Sequence, residues 1–81
     1  MSLTIYSKPG CQYCQKFIFI AKHQGLDYVV YELGEHFTKE EFNSEFGGGA
    51  TFPQIVLGDL QLGGCRESIQ YLKEKELCCV M

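Results

Sequence analysis

Missing from these 81 residues are an apolar run near the length of a membrane span, a surplus of positive charge, any internal repeat and a second Cys-x-x-Cys pair. A membrane span needs about 20 consecutive apolar residues, so no membrane association is expected. Seven basic residues against ten acidic ones give a net charge of −3, which argues against nucleic acid as a partner. A zinc ribbon needs two Cys-x-x-Cys pairs, or one pair with closely spaced histidines. Here the other cysteines are Cys65, Cys78 and Cys79, and His23 and His36 stand singly in helix and loop contexts. No metal is expected. Five cysteines is an odd number, so a complete internal set of disulfides is excluded. No signal-peptide pattern precedes the folded pattern that begins at residue 3. The expected location is the cytoplasm, where thiols are mostly reduced and paired cysteines tend to be catalytic or metal-binding.

What is present suffices for one small core. The chain is 46% hydrophobic, with six Phe and five Tyr, at a length near the lower limit for an unaided domain. A single domain over residues 1–81, acting as a monomer, is expected. Leu3-Thr4-Ile5-Tyr6-Ser7 alternates apolar and polar and predicts a strand. Lys8-Pro9-Gly10 breaks it, and from Cys11 the spacing becomes helical, with Cys14, Phe17, Ile18 and Ala21 on one face and Gly25 as terminator. Tyr28 to Leu33 predicts a second strand. Thr38 and Glu41 form a capping box ahead of a helix bearing Phe42 and Phe46, which ends in Gly47-Gly48-Gly49. Gln54 to Leu57 predicts a third strand, Gly58-Asp59 a tight turn, and Leu60-Gln61-Leu62 a fourth strand. A last helix starts near Cys65 and carries Ile69 and Leu72. The order is β-α-β-α-β-β-α, a parallel crossover followed by an antiparallel hairpin.

Cys11 stands where a strand gives way to a helix, beside unpaired helix N–H groups that favour negative charge. Cys14 follows one turn later, about 5–6 Å away and within reach of a disulfide. Lys8 adds positive charge, so Cys11 is expected to be the ionised, outer sulfur and Cys14 an inward thiol. Lowering a thiol pKa from about 8.5 to about 5 raises the thiolate fraction at neutral pH roughly thirtyfold. Nucleophilicity falls by a comparable factor over the same interval, with a Brønsted slope of about 0.4–0.5. The gain is as a leaving group, which suits a centre whose mixed disulfides turn over quickly.

Cys-x-x-Cys opening a helix after a strand is a sign of a thioredoxin-like fold. Together with Thr51-Phe52-Pro53 before a strand and Gly63-Gly64-Cys65 before the last helix, it makes the sequence resemble a glutaredoxin of the dithiol, Cys-x-Tyr-Cys type over essentially its whole length. The resemblance implies an α/β fold with a four-stranded mixed sheet flanked by three helices, and a cis proline at Pro53 facing the cysteines. It also implies a glutathione-dependent thiol-disulfide oxidoreductase in which Cys11 and Cys14 are catalytic. Carried over to this chain, Lys8 would attract the glycine carboxylate of glutathione and Tyr13 would flank the tripeptide. Phe52, beside Thr51 and before Pro53, would pair its backbone with the cysteine of glutathione. Gly64, Cys65 and Arg66 would hold the γ-glutamyl end. The partners implied are glutathione as reductant and disulfide-containing or glutathionylated proteins, ribonucleotide reductase among the family's possibilities.

Three departures from the family pattern bear on function. Gln12 stands where the family usually has Pro. In some relatives, loss of that proline accompanies a [2Fe-2S] cluster shared by two subunits through the first cysteine and glutathione, which makes a cluster carrier or sensor ligated by Cys11 the alternative. Arg66 stands where an Asp commonly meets the γ-glutamyl ammonium, with Glu67 next. Only Gly47-Gly48-Gly49-Ala50 precedes Thr51, where many relatives have a basic residue, leaving Lys8 with less help. The tail Cys78-Cys79-Val80-Met81 fits the prenylation pattern C-a-a-X. However, Lys73-Glu74-Lys75-Glu76 upstream is not polybasic, and two exposed thiols at a helix end are the expected reading. Alkylation by iodoacetamide, followed against pH and assigned by mass spectrometry, should give Cys11 a midpoint well below about 7, with Cys14 a thiol through neutrality. A Cys11 midpoint near 8.5 would show that the helix terminus does not act on it.

Overall fold

Alternation along β1 (Leu3–Ser7) sends Leu3, Ile5 and Ser7 to one side, where all three are buried. The computed structural model describes residues 2–75, so the Cys78–Met81 tail lies outside the described residues. After β1 come α1 (Gln12–His23), β2 (Tyr28–Glu32), α2 (Lys39–Phe46), β3 (Gln54–Leu57), β4 (Leu60–Gly63) and α3 (Cys65–Glu74). The sheet order is β2-β1-β3-β4, with β1 and β2 parallel and both the β1–β3 and β3–β4 pairs antiparallel. This is the β-α-β-α-β-β-α arrangement the pattern predicts. Two strand ends differ by a residue. Leu33 donates its N–H to the Ser7 carbonyl at 2.9 Å but falls outside β2, in an isolated bridge with Phe37, because Gly34 turns the chain at φ +93°. Gly63 joins β4 because the register shifts between Ile55 and Val56, so that Gly63 rather than Leu62 pairs with Ile55.

The sheet has two differently filled faces. Phe17 and Ala21 of α1 and Leu72 of α3 pack on Leu3, Ile5 and Ile55, and Phe17 is fully buried. Burial of such a side chain is worth about 1.5–3 kcal/mol. Ser68 is buried with them, its hydroxyl donating to the Gly63 carbonyl at 3.4 Å. Tyr6 alternates to the opposite face, where its ring centroid lies 5.0 Å from Phe46, 5.3 Å from Phe37 and 5.8 Å from Tyr31. Helix α2 closes this face with Phe42, which is 1% exposed. Its start is fixed by the capping box: Thr38 N–H donates to Glu41 Oε1 at 2.8 Å, and Glu41 N–H to Thr38 Oγ1 at 3.1 Å. His36 is held outside the core, its Nδ1 accepting from Glu32 N–H at 2.9 Å.

Burial, and after it the Glu45 carboxylate and the neighbouring Tyr31, push the Tyr6 phenol above its ordinary value near 10. A group whose folded pKa is raised contributes stability that is complete below its unfolded pKa and lost as pH rises through the folded one. Urea unfolding between pH 8 and pH 12 should therefore show a falling alkaline limb that Tyr6→Phe flattens in part. Equal alkaline losses in the two proteins would exclude Tyr6 as a titrating group.

Candidate active site

The reactive pair is set by the junction of β1 and α1. Gly10 adopts φ +75°, a conformation most side chains resist, and this turn delivers Cys11 as the N-cap of α1. Its backbone is extended and its sulfur accepts the Cys14 N–H at 3.2 Å. The sulfur thus occupies the place a Ser or Asp oxygen normally takes at a helix start. Cys14 is bonded to it in a disulfide, with the Cα atoms 5.3 Å apart. Cys11 is 7% exposed and Cys14 is 0% exposed, so an attacking or leaving sulfur meets Cys11 first. This is the division between an outer and an inner sulfur that the helix spacing implies.

Facing this sulfur is the turn before β3, where the Phe52–Pro53 peptide bond is cis. Phe52 is anchored from beneath, stacked on Phe42 with centroids 4.2 Å apart and planes at 15°. Two ammonium groups flank the same ring: Lys8 Nζ at 5.5 Å and Lys39 Nζ at 5.4 Å from its centroid. Each cation–π contact at an exposed position is worth about 0.5–1 kcal/mol. Lys39 thus stands beside Lys8 at the same ring, although no basic residue immediately precedes Thr51. The second cation comes from the first residue of α2 rather than from the glycine run, so it is remote in sequence and adjacent in space.

The third wall is the start of α3. Gly63, at φ +100°, turns the chain, and Gly64 is the N-cap, without a side-chain cap. Glu67 folds back over this turn, its Oε1 2.9 Å from where a Cβ on Gly64 would stand, so a side chain there would have to displace it. Cys65 is buried at the first helical position, and burial pushes its thiol pKa up; Lys16 opposes that rise and Glu67 adds to it. Arg66 is exposed.

These walls enclose an open cleft of about 1090 Å³. Of the residues singled out from sequence, Cys11, Lys8, Tyr13, Thr51, Phe52, Pro53, Gly64, Cys65 and Arg66 all line it. Cys14 lies beneath it. Sequence reasoning missed Lys39, Lys16 and Lys73, which also line it. Two of them carried a readable signal: Lys16 lies three residues after Tyr13, and Lys73 seven after Arg66, each on the same helix face as the residue already chosen. Among the described residues no group of three or more His, Cys, Asp or Glu side chains converges as a metal site would need.

A thioredoxin-like sheet carrying a disulfide in which Cys11 keeps an exposed edge and Cys14 is fully buried defines a thiol-disulfide oxidoreductase. The chain belongs to the glutaredoxin family, whose model matches residues 3–61. A glutaredoxin of Haemophilus influenzae is 32% identical over 82 residues, covering 93% of this chain and 94% of its own. The solution structure of glutaredoxin from Brucella melitensis matches with a TM-score of 0.75 at 29% identity, covering 95% of this chain and 84% of that one. The crystal structure of a buckwheat glutaredoxin–glutathione complex shares the fold with a TM-score of 0.76 at 23% identity, covering 93% of this chain and 71% of the other.

Because Phe52 joins the aromatic layer to the cleft, Phe52→Ala should lower the unfolding free energy by about 2–3 kcal/mol, less than full burial would give since the residue is only partly buried. Phe52→Leu should recover roughly half of that. Urea midpoints measure both, and a loss under about 1 kcal/mol for Phe52→Ala would mean the stack carries little of the site's rigidity.

Proposed function

We propose that this protein reduces glutathione mixed disulfides and protein disulfides with glutathione as reductant, acting as a single cytoplasmic glutaredoxin domain and a monomer. The observation that carries the reading is the convergence in one cleft of the exposed edge of Cys11, the Phe52–Pro53 turn and the start of α3. A glutathione complex in a protein of the same fold supports it.

In this reading glutathione lies across the cleft with its sulfur at Cys11. Lys8 and Lys39 meet the glycine carboxylate, and Tyr13 flanks the tripeptide. The Phe52 backbone, with Thr51 beside it, pairs with the cysteine of glutathione. The free N–H groups at Gly64 and Cys65 meet the γ-glutamyl carboxylate, as helix starts do for anions. Arg66 cannot accept from the γ-glutamyl ammonium, whereas Glu67, overhanging Gly64, offers a carboxylate there. The Cys11 thiolate attacks the glutathionyl sulfur of a mixed disulfide, and the substrate leaves as a thiolate that takes a proton from water. A second glutathione thiolate then attacks the glutathionyl sulfur on Cys11, giving glutathione disulfide and the free Cys11 thiolate. With a protein disulfide, Cys14 displaces the substrate from Cys11 and leaves the Cys11–Cys14 disulfide, which two glutathiones reduce. Glutaredoxin potentials of roughly −200 to −230 mV keep that last step close to balance with the glutathione pool.

Cys11→Ser should abolish turnover of both substrate types. Cys14→Ser should retain glutathione mixed-disulfide reduction and lose protein-disulfide reduction, since only the latter needs a resolving thiol. A glutathione-coupled assay with each substrate checks this, and equal losses for both variants in both assays would refute the division of labour. Visible absorption after anaerobic purification tests the alternative of a [2Fe-2S] cluster held through Cys11.

A further inference from the structure

Five of the seven basic residues of the chain line the active-site cleft, against one of its ten acidic residues, Glu67. The cleft therefore carries a surplus of four positive charges in a protein whose net charge is −3. The rest of the chain holds two basic and nine acidic residues. Nothing in the fold demands this segregation. All five cationic side chains are exposed, and like charges gathered on one surface repel each other.

Glutathione accounts for only part of it. Lys8 and Lys39 flank Phe52 and serve one carboxylate in the reading above, while Lys16 of α1 and Lys73 of α3 have no role there. Ile69 and Gln70 fill the α3 wall between Arg66 and Lys73, giving a strip with apolar and amide groups between two cations. The cleft also extends along α1 and α3 to Lys16 and Lys73, beyond the residues that the glutathione reading uses.

We propose that this cleft selects protein substrates whose disulfide-bonded cysteine sits in an acidic segment, with Lys16 and Lys73 as specificity-determining residues. The inference rests on the glutathione-dependent reading and names the substrate class of the same site. The chemistry is unchanged: Cys11 takes the glutathionyl group, the acidic peptide leaves as its thiolate and is protonated by water, and a second glutathione discharges Cys11 as glutathione disulfide. The lysines act before that step, by attracting the acidic flanks and holding them along α3. Steering of this kind raises association rates by about 10- to 1,000-fold at low salt. It fades as the Debye length falls from about 30 Å at 0.01 M to about 3 Å at 1 M.

The test uses three synthetic peptides, each glutathionylated at one cysteine, with acidic, uncharged or basic flanking residues. Every peptide carries the same glutathionyl group, so differences in kcat/KM arise from the flanks alone. At about 10 mM salt the acidic peptide should exceed the basic one by at least about tenfold, and the ratio should shrink to within about twofold near 1 M. In the double variant Lys16→Glu, Lys73→Glu, the low-salt ratio should fall below about threefold or invert. Because the ratio is taken within one enzyme preparation, a fraction of misfolded variant cancels from it. A wild-type ratio near one at low salt, or a ratio untouched by the double variant, would overturn the proposal while turnover of the uncharged peptide upheld the glutathione reading. Absence of turnover on all three peptides would overturn that reading and the proposal with it.

Discussion

The Cys14 N–H donated to the Cys11 sulfur is the contact on which the rest of the site depends. A helix start leaves N–H groups without partners, and most helices answer this with a side-chain oxygen. Here the reactive sulfur is itself the cap, so the atom that does the chemistry also ends the helix. Its position then follows from covalent geometry. Ser7 is buried at the end of β1, the next three residues emerge into solvent, and the left-handed Gly10 returns the chain to the helix axis. A displacement at any of these points would move the sulfur relative to Phe52 and Gly64, since α1 is clamped separately through Phe17 and Ala21.

The sheet's second face supports the opposite wall. Tyr6, Phe37, Phe42, Phe46 and Phe52 form a connected aromatic layer from the middle of β1 to the cleft. Aromatic rings carry large contact areas with few rotatable bonds. A short helix such as α2 can therefore hold the Phe52 turn in place, and Lys39 at the head of that helix is carried to the cleft by the same packing.

Much of this was legible in the sequence because the informative signals were local. The bounds of β1 and β3 follow from alternation and from the Pro and Gly residues that bracket them, and the start of α2 from Thr38 and Glu41. The cysteine pair and the two other cleft turns were readable for the same reason, each being a few residues of strong backbone preference. What stayed hidden depends on distance across the fold. Lys39 is near Lys8 only because α2 and the β1–α1 turn both border Phe52. The fold-back of Glu67 over Gly64 depends on a side-chain torsion that spacing does not encode. Leu33 read as strand because its side chain suits one, whereas Gly34 decides the backbone there.

The sealing of Cys14 also constrains the reverse direction. Reduction of the oxidised pair is a different reaction from its formation, but it meets the same burial. An incoming thiolate can reach the disulfide only through the exposed edge of Cys11, so the adduct on the way back is again at Cys11, and Cys14 is the group expelled into the interior. The regiochemistry of both half-reactions is thus fixed by burial, without any group having to choose between the two sulfurs.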